Sequence, residues 1–368
     1  MNYKIITILG ALVIFLFGLA VVLSGGWDNL KLRSVPYRSY FTVQNNPLLQ
    51  GRDADLTMTS KGEKKTPRIE LSELLPGGPP KDGIPALDNL QFDRKDTTPF
   101  SKDELILGII LNGEAKAYPY GILNWHEIVN DTVGGVDVTI TYCPLCDTGI
   151  TFERVVNGRV TTFGVSGKLY QSCLVMYDRL TDSLWSQPWG LGILGEETNT
   201  VLRRFPTYKT TLGSWLKQYP ESRILSADTG YSRDYLRYPY GTYYTDSSLI
   251  FPTRNSRMVG GHIKEILYII WEGDDKALFN RFSGKSLAFS FEDVKKESLI
   301  SRPFGNNYAL AFFDQRISAV RVFETPKAVR EVKGEIVVFT DGGEMGLSHL
   351  KEIPTTASFA FVYPAFFR

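Results

Sequence analysis

Two cysteines three positions apart, Cys143 and Cys146, interrupt a strand-like run that reads TITYCPLCDTGITFER from Thr139 to Arg154. A C-x-x-C pair is a redox couple, half of a metal site or a structural staple. A redox pair of the thioredoxin type opens a helix, whose N-terminus lowers the thiol pKa. Here a glycine and a second strand follow instead, so the spacing predicts a hairpin-borne knuckle that aims two thiolates at one ion. Two sulfurs leave a soft metal short of ligands, since zinc takes four and copper accepts fewer, with Cys, Met and His all suitable.

The nearest further donor is His126, read as lying on the inward face of a helix with Ile122, Trp125 and Val129. The chain has only three histidines, and His262 and His349 sit in VGGH and GLSH loops that read as structural. Two more candidates lie in CLVMYDR. If that segment is a strand, Cys173 and Val175 face one way while Leu174 and Met176 face the other, so Cys173 and Met176 do not serve one ion together. Met176 completes a Cys₂-His-Met set suited to copper; Cys173 completes a Cys₃-His set suited to zinc. Copper is expected first and zinc second. Tyr177, Asp178, Arg179, Trp185 and Gln187 form a polar and aromatic cluster beside them, readable as a substrate rim or as a satisfied hairpin. Glu127 and Asp131, at i and i+4 of the same predicted helix, are the candidate catalytic acid and base. No Walker, G-x-S-x-G or G-x-G-x-x-G pattern occurs, and no nucleotide cofactor is expected.

The elements that must position these residues are mostly strands. LILGIILNGEAKAYP pairs two apolar runs across Asn112-Gly113, a strong hairpin signal. YGILNWHEIVND, Tyr120 to Asp131, carries helical spacing and is expected to end at Gly134-Gly135. VDVTITY alternates as a strand into the cysteine pair, GITFERVV leaves as another, and Asn157-Gly158 turns again. The order then echoes. EILYIIWEGDDKAL and NYALAFFDQRISAVRVFE, Asn307 to Glu324, parallel the first hairpin and the cysteine run, with FDQR where CPLC stood, and LSHLKEIPTTASFAFVYPAF parallels NTVLRRFPTYKTTLGSWLKQYPES. The expected fold is therefore α+β, predominantly antiparallel β with short helices, with an internal duplication of one β-rich unit. The second copy lacks the cysteines, which assigns them to chemistry and the shared pattern to fold.

A chain of 368 residues exceeds one compact core, and 41 basic against 40 acidic residues argue against a nucleic-acid footprint. Ile5 to Leu23 is an uncharged apolar run that just spans a hydrocarbon core of about 30 Å. Residues 1–26 are read as a membrane anchor or signal segment, 27–103 as an irregular lead-in, 104–252 as the first β-rich repeat and 253–368 as a second, degenerate one. LLPGGPPKDGIPALDN, Leu74 to Asn89, either wraps the following domain or tethers it. The body is expected outside the cytoplasm on a single-pass anchor, or secreted if the segment is cleaved; its protein or small-molecule partner is not legible.

GGPPKDGIPALDN, AYPYGILNWHEIVNDTVGG, VTITYCPLCDTGITFER, GVSGKLYQSCLVMYDRLTDSLWSQ and DTGYSRDYLRYPYGTYY, in that order, resemble a large prokaryotic family of secreted or membrane-anchored proteins catalogued as a domain of unknown function. The resemblance implies recurring positions at His126, Cys143, Cys146 and Met176. There the position of Cys173 is typically Ser, Asn or Asp-like, and Asp147 stands where a glycine usually follows the second cysteine. Three functions follow as expectations: a soft-metal protein, a thiol-disulfide oxidoreductase using Cys143 and Cys146, or a binding module in which the pair is a structural disulfide.

Overall fold

The computed structural model describes residues 67–254, 262–272 and 284–368. The predicted anchor lies outside the described residues, and among those no helix is long and apolar enough to cross a membrane.

The first set of elements runs β1 (Leu105–Leu111), β2 (Glu114–Pro119), α1 (Tyr120–His126), β3 (Ile128–Val133), β4 (Val136–Cys143) and β5 (Thr148–Glu153). Asn112 and Gly113 take φ of 48° and 83°, the left-handed pair a two-residue hairpin turn requires, and Asn157-Gly158 repeats it. α1 is shorter than its sequence pattern predicts. It stops at His126 because Glu127 takes φ 57°, ψ −31°, after which the β-branched run Ile128–Val133 pairs with β4. Gly134-Gly135 therefore turns a hairpin instead of ending a helix, and Val129 does not share the α1 face.

A meander follows, of β6 (Phe163–Tyr170), β7 (Cys173–Asp178), β8 (Leu184–Ser186) and β9 (Leu191–Leu194), then β10 (Arg204–Phe205), β11 (Tyr208–Thr211) and α2 (Leu212–Gln218). The proline-rich lead-in wraps the body: Leu75 pairs with Leu169 of β6, and the Leu87 and Asn130 amides donate to Ile128 and Leu87 carbonyls at 2.9 Å.

The second set is β12 (Ile266–Glu272), β13 (Lys285–Ser290), α3 (Phe291–Glu297), β14 (Leu299–Phe304), β15 (Asn307–Asp314), β16 (Ala319–Thr325), β17 (Lys351–Glu352), β18 (Thr356–Phe359) and α4 (Val362–Phe366). From β2 onward the first-set order recurs at one constant offset, Tyr120 matching Phe291, Ile128 matching Leu299 and Thr148 matching Ala319. Backbone detail recurs with it: Glu127 and Ser298 both end a helix at positive φ, as Asp147 and Ser318 both precede a strand. β11 pairs with β1 as β18 pairs with β12, and β10 with β5 as β17 with β16. Register shifts the sequence comparison by one residue. Cys143 pairs with Thr148 and Asp314 with Ala319, so Asp314, not Phe313, occupies the matching place.

The two sets are not separate lobes. β18, from the end of the second, joins β5 of the first through Ala357 and Gly149, giving the order β13-β12-β18-β5-β4-β3. A Cβ at Gly149 would lie 2.6 Å from a Leu107 methyl, so any larger residue there requires Leu107 to move.

Candidate functional site

The knuckle forms as its spacing predicts. β4 delivers Cys143 and β5 begins at Thr148; the Cys146 amide donates to the Cys143 carbonyl at 3.3 Å across the turn. Asp147 closes the turn at φ 50°. Aspartate tolerates this region better than most residues, and here the surroundings hold it. Its carboxylate is fully buried, ion-paired with Lys209 and bonded by the hydroxyls of Tyr142 at 2.9 Å and Tyr244 at 3.3 Å. Burial pushes the Lys209 ammonium below its ordinary pKa while Asp147 pulls it back up. This buried pair is the part of the site that sequence patterning misses, since 62 positions separate its members.

All three cysteines are buried free thiols. The Cys146 thiol interacts with those of both Cys143 and Cys173, and it accepts a bond from Thr148 Oγ1 at 3.0 Å. Burial pushes the thiols of Cys143 and Cys146 far up, and that of Cys173 up to about 11. The strand reading of Cys173–Asp178 holds. Cys173 joins the pair, whereas Met176 is a fully buried core residue opposite Val165 and Trp185.

His126 does not turn to the thiols. Its Nδ1 meets the Pro85 carbonyl at 2.8 Å and its Nε2 the Tyr235 hydroxyl at 2.7 Å, so both ring nitrogens are occupied elsewhere, and burial lowers its pKa. Among the described residues no three His, Cys, Asp or Glu side chains converge as a metal ion requires. His126→Ala is accordingly expected to lower stability by about 1–3 kcal/mol, through the partners left unpaired, without changing thiol reactivity. Denaturant melts beside a timed alkylation of Cys143 check this, and altered alkylation would return the imidazole to the site.

Glu127 does approach the pair. Its carbonyl accepts the Tyr142 amide at 2.7 Å, next to Cys143, and its carboxyl interacts electrostatically with the Cys143 thiol. Burial raises its pKa to about 8, while a bond with the Tyr240 side chain pulls the other way. Asp131 lies on a strand, not on the helix face shared with Glu127. It takes both bonds from the buried Lys116 ammonium at 2.9 Å and one from the Tyr118 hydroxyl at 2.6 Å, a structural role.

The predicted rim is interior except at Arg179, which is exposed. Asp178, Trp185 and Gln187 are fully buried; Asp178 accepts from the Thr181 amide at 2.7 Å and Trp185 Nε1 at 3.0 Å, and Gln187 Nε2 donates to the Thr148 carbonyl at 2.9 Å. Tyr177 bonds Asp82 at 2.5 Å, and Arg179 pairs with Asp82 and Asp88. The cover over the thiols comes instead from YPYGTYY: the Tyr243 hydroxyl donates to the Leu145 carbonyl at 2.7 Å, and Tyr238 and Tyr240 interact with Cys143.

Among known proteins, the model of a family described as a protein of unknown function (DUF3179) matches residues 81–368. No curated protein and no solved structure matches the chain.

Proposed function

We propose, for a chain that belongs to the DUF3179 family of unknown function, that Cys143 and Cys146 are a working dithiol exchanging with a disulfide of a partner, with Glu127 as the proton acceptor. One observation carries this: the first thiol of a free C-x-x-C pair on a strand-borne turn interacts electrostatically with a buried carboxyl, that of Glu127. A thiol must lose its proton to attack, and the apolar surroundings oppose that loss. A carboxyl titrating near 8 takes up such a proton at little cost, because the best acceptor is one whose pKa lies near the working pH.

In the reducing direction one cysteine sulfur bonds to a partner sulfur as the partner S–S bond breaks. The other cysteine sulfur then closes the Cys143–Cys146 disulfide and releases the second partner thiol. Two electrons pass to the partner with two protons, and the carboxylate of Glu127 receives the Cys143 proton on its way. A second reading rests on Cys173, whose thiol interacts with those of Cys146 and Cys143: the three do not converge as a metal site in this structure, but copper(I), which accepts few and soft ligands, is the ion they would take, without His126.

The experiment equilibrates the full chain in graded glutathione buffers, quenches it and counts free thiols by mass after alkylation. The expected result is a reversible loss of two of the three thiols, abolished by Cys143→Ser or Cys146→Ser and retained in Cys173→Ser. No reversible pair would overturn the proposal. Stoichiometric copper(I) uptake lost equally in all three variants would transfer the site to the metal reading.

A further inference from the structure

An open cavity of about 410 Å³ is lined in part by the tyrosine cover, through Tyr238 and Tyr244. It is within the size range of small-molecule sites, about 300–1,000 Å³. Tyr120, Tyr142, Tyr235, Tyr238 and Tyr244 line it, and so does Asn124. Three of these groups carry a buried polar atom without a hydrogen-bond partner among the described residues: the hydroxyls of Tyr120 and Tyr238 and the Oδ1 of Asn124. Tyr120 is 5% exposed and Asn124 8%. An unmet buried polar group costs about 1–3 kcal/mol, and three gathered in one cavity point to a partner that arrives from outside.

The charges around the cavity select its class. Arg237 lies in the wall and the buried Lys209 ammonium lies 5.5 Å from the Tyr120 ring, which disfavours a cation in the tyrosine cage. Asp103 and Glu104 line another part, which disfavours an anion. A neutral ligand remains. Phenol hydroxyls both donate and accept, while the amide oxygen only accepts, so the ligand must offer both roles at several points. Ring faces carry negative charge density over an apolar surface, suited to C–H groups.

We infer that this cavity binds a small neutral polyhydroxylated ring, of the class of a pyranose sugar. The inference is separate from the dithiol: the sugar meets Tyr120, Asn124 and Tyr238, and no sulfur.

The test is calorimetric titration of the full chain with D-glucose, D-galactose and N-acetyl-D-glucosamine, with choline and succinate as the cationic and anionic alternatives. At least one sugar is expected to bind, with affinity falling tenfold or more in Tyr120→Phe and in Asn124→Ala and unchanged in Cys143→Ser. Tyr120→Phe removes a hydroxyl that has no partner among the described residues, so its Tm is expected to equal or exceed the parent's, which separates lost binding from lost folding. Absence of binding by all three sugars, binding indifferent to both variants, or binding of choline or succinate in their place would each overturn the inference.

Discussion

Replacing Asp147 with alanine is expected to destabilise the protein by about 3–5 kcal/mol, the range for removing one partner of a buried ion pair. That is a large share of a stability that ordinarily totals about 5–15 kcal/mol. The loss arises from what is left behind. Lys209 is 9% exposed, and Asp147 is the group that raises its pKa against burial. Without it the ammonium stands in a low-dielectric interior, and the hydroxyls of Tyr142 and Tyr244 lose their acceptor. The pH dependence has a definite sign. A lysine whose folded pKa is depressed binds its proton more readily when unfolded, so the variant gains stability as pH rises toward the unfolded value of about 10.4 and loses it as pH falls. Adding Lys209→Met should restore much of the loss, because the stranded charge is then gone. Urea denaturation of the single and double variants measures both effects, and a loss below about 1 kcal/mol in Asp147→Ala would remove the pair from its structural role.

Glu127→Gln is expected to slow disulfide exchange at neutral pH by about 10²- to 10⁴-fold, the usual contribution of a positioned acid or base, while making the fold more stable. The opposite signs share one cause. Burial raises the Glu127 pKa to about 8, whereas an unfolded glutamate titrates near 4.3. Below about pH 4 the carboxyl is protonated in both states and contributes no penalty. As pH rises from about 4 to about 8, the unfolded chain releases a proton that the folded chain keeps, and stability falls by up to about 1.4 kcal/mol per pH unit. Glutamine removes that slope and keeps an oxygen for Tyr240. Stopped-flow exchange with a small disulfide, beside denaturant melts at pH 5 and pH 8, separates the two effects. A variant with parental exchange rates across that range would deprive Glu127 of its chemical role, whatever its stability.

Local chemistry explains which parts of this fold are legible in the sequence. The Asn112-Gly113 and Asn157-Gly158 turns are readable because those residues accept positive φ without help. The knuckle is readable because VDVTITY and GITFERVV alternate on either side of it. The end of α1 is hidden, since Glu127 reaches φ 57° through no preference of its own; the Tyr142 amide, fifteen positions on, bonds its carbonyl. The same short helix swings His126 toward Pro85 and Tyr235, so nearness to the cysteines along the chain does not become nearness in space. Lys209 carries no mark of its pairing with Asp147. The sequence reading does not foresee the cover over the thiols, and the density of tyrosine in YPYGTYY is the one signal that could have marked it.

The Cys146 carbonyl accepts the amide of Phe359 at 2.8 Å, and Ala357 pairs with Gly149 in the same sheet. That contact sets a timetable for biosynthesis. The cysteines emerge from the ribosome more than two hundred residues before the strand that seals them, which at about 5–20 residues per second leaves them unsealed for roughly 10 to 40 seconds. During that interval the knuckle meets whatever oxidants and metal ions surround the nascent chain. The redox state of the compartment in which translation finishes therefore sets the form in which the dithiol is first enclosed, before any exchange with a partner.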